Sequence, residues 1–304
     1  MKSNAPSLGK GISLLLGLVF LAMSATQAEK ASDKMTLADV PESVQKALAE
    51  YRGGAQPTSL KRELKEGIAF YEAEYREGEV TREIKLDEAG RVIEIEEEFP
   101  FSDLPQEVLQ SIQAAYPDAE IEEIELKTVI FYEVELQKEG REVEVKILEN
   151  GHVLDSGMEK KDEAGEAEGG ESEKESEVTW DQLPEAVRAA IEQHRPGARP
   201  EKVDREVKKG HALYDTEFEK VEGVRREIVM DEGGRIVEIE DEIDPTQLPG
   251  VVREEVEKLY PNLPIKEAAL KHLTYYVIEI EQDDKEIEVK ALANGLILGL
   301  EDDD

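Results

Sequence analysis

The chain has 304 residues, 39% hydrophobic and 36% charged, with 37 basic against 73 acidic side chains and a net charge of −36. A surface of that sign repels phosphate backbones and anionic lipid, which argues against nucleic-acid and membrane-surface roles and favours cations or a basic protein as partner. There is no cysteine, so thiol catalysis, disulfides and Cys-based zinc sites are excluded.

In chain order, Lys2 and Lys10 lead into an apolar run over residues 12–23, followed by the small residues SATQA. That run is too short to span a bilayer and fits a secretory signal over residues 1–28, cut near Ala28. The mature protein is therefore expected to be periplasmic or secreted, with no stable membrane insertion once the signal is removed.

Four similar helix openings follow: VPESVQKALAEY from Val40, LPQEVLQSIQAAYP from Leu104, LPEAVRAAIEQHRP from Leu183 and LPGVVREEVEKLYP from Leu248. In the third, Val187, Ala190, Ile191 and His194 recur at helical spacing and form one apolar face. Proline opens each helix, and Tyr-Pro or Arg-Pro closes three of them. Period-two stretches come next, such as Tyr132, Val134 and Leu136 alternating with Glu133 and Glu135, and these predict strands with one packed and one wet face. Asp87 to Gly90, Asp231 to Gly234 and Asn150-Gly151 supply hairpin turns. The first and third copies share LDEAGRVIEIE and MDEGGRIVEIE. The second and fourth share REVEVKILENG and KEIEVKALANG, offset by 144 residues without a gap. A two-module unit has been duplicated.

The expected fold is α+β, four tandem modules of a helix on an antiparallel sheet, arranged as two lobes. The modules fall at residues 35–99, 100–157, 178–243 and 244–304. Between the lobes, residues 158–177 carry almost no hydrophobe and predict a charged, disordered linker. The pattern LPxxVxxxI…(Y/R)P, a Gly-led aromatic strand and a strand ending in DxxGxVxExE resembles PepSY-like domains, more specifically the putative beta-lactamase-inhibitor-like, PepSY-like family. The resemblance covers nearly all of the mature chain outside the linker. It implies exported, non-enzymatic domains with one helical layer on an antiparallel sheet. The inhibitors that give the family its name clasp their target with the open face of tandem sheets.

No catalytic, cofactor or metal site is expected. Each histidine occupies a slot that another copy fills with a non-ligand: His194 aligns with Tyr51, Tyr116 and Tyr260, His211 with Ile68, His152 with Leu296 and His272 with Thr128. No HExxH, phosphate loop or GxSxG elbow occurs. Trp180 aligns with Leu37 just ahead of a helix and reads as a packing staple. DEAG, DEGG and the terminal Glu301-Asp302-Asp303-Asp304 offer calcium hard oxygens, but without the alternating spacing of an EF-hand loop. Two functions remain: an inhibitor-like or protein-binding module, or an acidic, cation-buffering or structural protein of the cell envelope. The partner in the first is an exported or envelope protein with a basic surface. By strand parity Tyr71, Tyr132, Tyr214 and Tyr276 face the helices, whereas Phe70, Phe131, Leu213 and Tyr275 fall on the opposite, supposedly wet face. Those four are either anchors for a partner or internal packing between neighbouring modules.

Overall fold

The structure is a computed structural model and describes residues 35–52, 55–65, 67–138, 140–157, 176–282 and 285–302. The expected signal and all but the last two residues of the expected linker lie outside these. Ser176 and Glu177 do not belong to a disordered segment; they form a short strand.

In chain order the elements are α1 (Glu42–Arg52), β1 (Ser59–Lys65), β2 (Ile68–Glu77), β3 (Val80–Asp87), β4 (Val92–Glu98), α2 (Gln106–Ala115), β5 (Glu120–Lys138), β6 (Arg141–Ile147) and β7 (Val153–Asp155). The second half repeats them as β8 (Ser176–Glu177), α3 (Glu185–His194), β9 (Lys202–Lys208), β10 (His211–Glu217), β11 (Arg225–Asp231), β12 (Ile236–Ile243), α4 (Gly250–Leu259), β13 (Ile265–Gln282), β14 (Lys285–Ala291) and β15 (Ile297–Asp302). The opening prolines sit at the N-cap, where the missing N–H costs nothing. Their carbonyls accept the first helical hydrogen bonds, as Pro105 does from Leu109 at 3.1 Å.

The strands form one antiparallel sheet ordered β1-β2-β3-β4-β5-β13-β12-β11-β10-β9-β8, with β6-β7 branching from β5 and β14-β15 from β13. The two expected lobes are therefore joined rather than separate. The cause lies in a single turn. In the first and third modules β1–β2 and β9–β10 are hairpins closed by Gly67 (φ +85°) and by Lys209-Gly210 (φ +46° and +86°). Such turns demand positive φ, which β-branched and bulky residues resist. Counting back from the aligned tyrosines, the glycine slot holds Thr128 in the second module and His272 in the fourth. No hairpin forms there. The chain runs straight on, so β5 spans 19 residues and β13 spans 18.

These two strands pair along nearly their whole length, with Val129 opposite Leu273, its own equivalent 144 residues on. A local two-fold axis passes through that pair, and beside it the hydroxyls of Thr128 and Thr274 lie 2.9 Å apart. Each long strand changes neighbours midway. β5 borders β4 over its first half and β6 over its second, while β13 borders β12 and then β14.

The straightened strands exchange the helices' targets. Val44 and Leu48 of α1 pack on Tyr71, Ala73, Tyr75, Ile84 and Leu86 of their own module, and α3 does the same in the third. Val108 and Ile112 of α2, however, pack on Ile278, Ile280 and Val289 of the other half. In return Val252 and Val256 of α4 pack on Tyr132, Val134, Leu136, Val145 and Ile147. The turn glycines record the same exchange: a Cβ on Gly295 would lie 2.5 Å from the Glu107 carbonyl, and one on Gly151 2.8 Å from Val251. Both glycines also hold positive φ. The helix-facing tyrosines sit where parity placed them.

Candidate functional site: the helix-free face of the sheet

The face opposite the helices has an apolar centre. Phe70, Phe131, Leu213 and Tyr275 are 2, 3, 0 and 6% exposed and share one cluster with Ile93, Val129 and Val277. They are internal packing, not accessible anchors, because the branch hairpins fold over them. Leu148 and half-buried Leu154 come from the β6–β7 hairpin, and Leu292, Leu296 and Leu298 from β14–β15. His152 meets the Phe70 ring edge-on at 5.8 Å, and the Asn294 side-chain amide donates to the Ala212 carbonyl at 3.3 Å. The pairing of these four residues with carboxylates along the strand follows from parity; what covers them does not.

Beyond this centre the face is lined with carboxylates in register. Glu74, Glu83 and Glu96 stand opposite one another across three strands and end at Lys127. Glu217, Glu227 and Glu240 repeat the row and end at Lys271. Further out, Glu98 opposes Glu125, Glu123 opposes Glu279 and Glu279 opposes Glu288; in the other half Glu267 opposes Glu135, which opposes Glu144. Like charges placed directly across a ladder repel, each pair by up to about 1 kcal/mol.

Part of this repulsion is neutralised internally. Lys271 reaches Glu133, Glu240 and Glu238 at 2.8, 3.0 and 3.1 Å, Lys127 reaches Glu96 at 2.5 Å, and Lys85 reaches Glu72 at 2.6 Å. Burial works against the Lys271 ammonium, but Glu238, Glu240 and Glu133 outweigh it and hold its pKa well above the ordinary value. Other acids are offset only in part, Glu83 by Lys61 and Lys85, Glu125 by Lys127, and Glu144 by Lys146 and Lys271. Burial, then Glu72 and Glu96, pushes Glu83 up to about 7. Burial, then Glu96, pushes Glu125 up to about 8, and burial with Glu133 pushes Glu144 up to about 7. The glutamates themselves are visible in the sequence, and their common parity was the available signal. Their alignment into rows needs the strand register.

The loop aspartates offered to calcium are engaged elsewhere. Asp87 and Asp231 are 1% and 0% exposed. Each accepts from the backbone N–H of the arginine four residues on, at 3.0 Å, and from its Nε at 2.6 Å, closing the β3–β4 and β11–β12 turns. Among the described residues no three Asp, Glu, His or Cys side chains converge as a metal site, and no helix is long and apolar enough to cross a membrane. Trp180 packs beside the third-module core with the Arg199 guanidinium 3.9 Å from its ring centre.

Solved structures with similarity to the chain include a DUF2874 family protein from Bacteroides ovatus ATCC 8483, at 19% identity, TM-score 0.26, covering 40% of this chain and 89% of that one. A BLIP-like protein from Bacteroides fragilis NCTC 9343 matches at 20% identity and TM-score 0.24, covering 40% and 86%. A protein from Bacteroides eggerthii DSM 20697 described as putative periplasmic matches at 9% identity and TM-score 0.25, covering 66% and 88%. No curated protein matches. The sequence profile described as putative beta-lactamase-inhibitor-like, PepSY-like matches residues 69–155, 166–238 and 212–298. Those segments span more than half of the 304 residues, so the chain belongs to the PepSY-like family.

Proposed function

We propose that this is an exported, non-enzymatic binding protein, inhibitor-like in the sense of its family, which offers the helix-free face of its sheet to a protein with a basic surface. One observation carries the reading: glutamates stand directly opposite glutamates at Glu98–Glu125 and Glu123–Glu279, whereas the similarly opposed Glu135 and Glu267 have Lys266 at 3.8 and 3.9 Å. Repulsion of this kind is relieved by cations from outside the chain, and complementary charge steers association. The apolar centre is covered by the protein's own hairpins, so charge rather than an aromatic anchor is the recognition element.

The test compares capture from an envelope extract, at low and high salt, by the wild type and by a Glu98→Gln/Glu123→Gln/Glu279→Gln variant. The variant should melt no lower than the wild type and lose a basic partner that the wild type releases in salt. Equal capture by both would refute the reading. Loss of many weak calcium equivalents in calorimetry, with no protein lost, would favour a cation-buffering envelope protein instead.

A further inference from the structure

The two halves treat the charges next to their apolar centres differently. In the first, one row across the sheet reads Lys61, Glu72, Lys85, Glu94, each residue opposite the next. The signs alternate, and Lys85 bridges Glu72 at 2.6 Å and Glu63 at 3.6 Å. The equivalent row in the second half reads Asp204, Asp215, Val229, Glu238. Both lysines are gone, and two aspartates face each other.

Burial makes this arrangement consequential. Asp204 and Asp215 are 4% and 7% exposed, and Asp215 Oδ1 is buried with no hydrogen-bond partner. The groups around Asp215 are mostly acidic. β9 contributes Asp204 and Glu206, its own strand Glu217, β11 Glu227, and β12 Glu238 and Glu240. The nearby ammoniums are already engaged: Lys202 by Asp204 and Glu217, Lys208 by Glu206, and Lys271 by Glu133, Glu238 and Glu240. The β14–β15 hairpin adds Leu292, Leu296 and Leu298 to the shared cluster and carries the buried Lys290, which bridges Glu288 at 3.1 Å. A buried carboxylate with no cation costs far more than a buried protonated carboxyl.

We propose that this row makes the second half a pH-responsive element, its β8–β9–β10 edge held while Asp215 carries a proton and loosened when Asp215 ionises. Burial first, then Glu227 and Glu217, pushes the Asp215 carboxyl up to about 8. Its folded-state pKa is raised above the unfolded value of about 3.9. The stabilisation it gives is therefore complete below the unfolded value and is lost as pH rises through about 8. In the first half the position equivalent to Asp215 holds Glu72, which lies opposite both Lys61 and Lys85.

Hydrogen–deuterium exchange on the full chain tests this, with rates corrected for the intrinsic pH dependence and compared at pH 6 and pH 9. Amides of β9 and β10 should lose roughly tenfold or more of their protection at pH 9 relative to Asp215→Asn, in line with about tenfold per pH unit for one titrating group. Val229→Lys, which restores the cation of the first half, should also suppress the loss. An Asp215→Asn protein with the wild-type pH response, or β9 and β10 remaining fully protected at pH 9, would overturn the proposal. If Asp215→Asn fails to fold, a Val229→Lys protein that responds like the wild type would overturn it as well.

Discussion

Cutting the chain between its halves should not release two proteins. A specific protease site placed within residues 158–175 severs the only covalent link, but the folded halves remain interlocked through β5 and β13. Separation would expose Val108 and Ile112 with their targets Ile278, Ile280 and Val289. It would also expose Val252 and Val256 with Tyr132, Val134, Leu136, Val145 and Ile147. At the lower bound of about 1.5 kcal/mol per buried side chain these twelve contribute roughly 18 kcal/mol. Losing translational and rotational freedom on association opposes this by about 4–15 kcal/mol, and the paired strands add further stabilisation. The middle of that range leaves about 8 kcal/mol, so the cut protein should stay associated at micromolar concentration. Size-exclusion chromatography with light scattering should give the intact mass before and after cleavage, with two bands only on a denaturing gel. Elution of two folded, half-mass monomers would refute the exchanged arrangement.

The isolated first half, residues 29–157, should form a homodimer by the same pairing, since Val129 already pairs with its repeat equivalent; sedimentation equilibrium reads this directly. Adding Lys127→Asn and Thr128→Gly supplies the missing turn and should shift that fragment to monomer. Stability should rise on mild acidification. Glu83, Glu125 and Glu144 are raised to about 7, 8 and 7, so their stabilisation is complete below the unfolded carboxylate range and lost as pH climbs through those values. The urea midpoint should be higher at pH 5.5 than at pH 8.5, and an unchanged or lower value would contradict it. Phe70→Ser should destabilise by roughly 3–5 kcal/mol in urea unfolding, as truncation of a buried aromatic does, whereas an accessible anchor would leave the midpoint unmoved.

The sequence by itself determined most of the local features that depend on near neighbours, though it placed the strand Ser176–Glu177 in the linker. Helix starts follow from the proline openings and apolar faces. Strands follow from the alternation of residues such as Tyr132, Val134 and Leu136, and the DEAG and DEGG turns are closed by an Asp–Arg contact four residues long. Parity correctly divided Tyr71 from Phe70 and placed them on opposite faces. What parity cannot say is whether a face is covered, because the cover over Phe70 comes from His152, 82 residues away. Only the tertiary structure decided which helix serves which strands. Thr128 and His272 remove two hairpins locally, but an opened strand must find a partner to satisfy its backbone N–H and carbonyl groups. The partner available in the folded chain is the equivalent strand 144 residues on. The glutamate rows have the same origin: each acid is placed on its face by its own strand, while the acid opposite is set by register between strands.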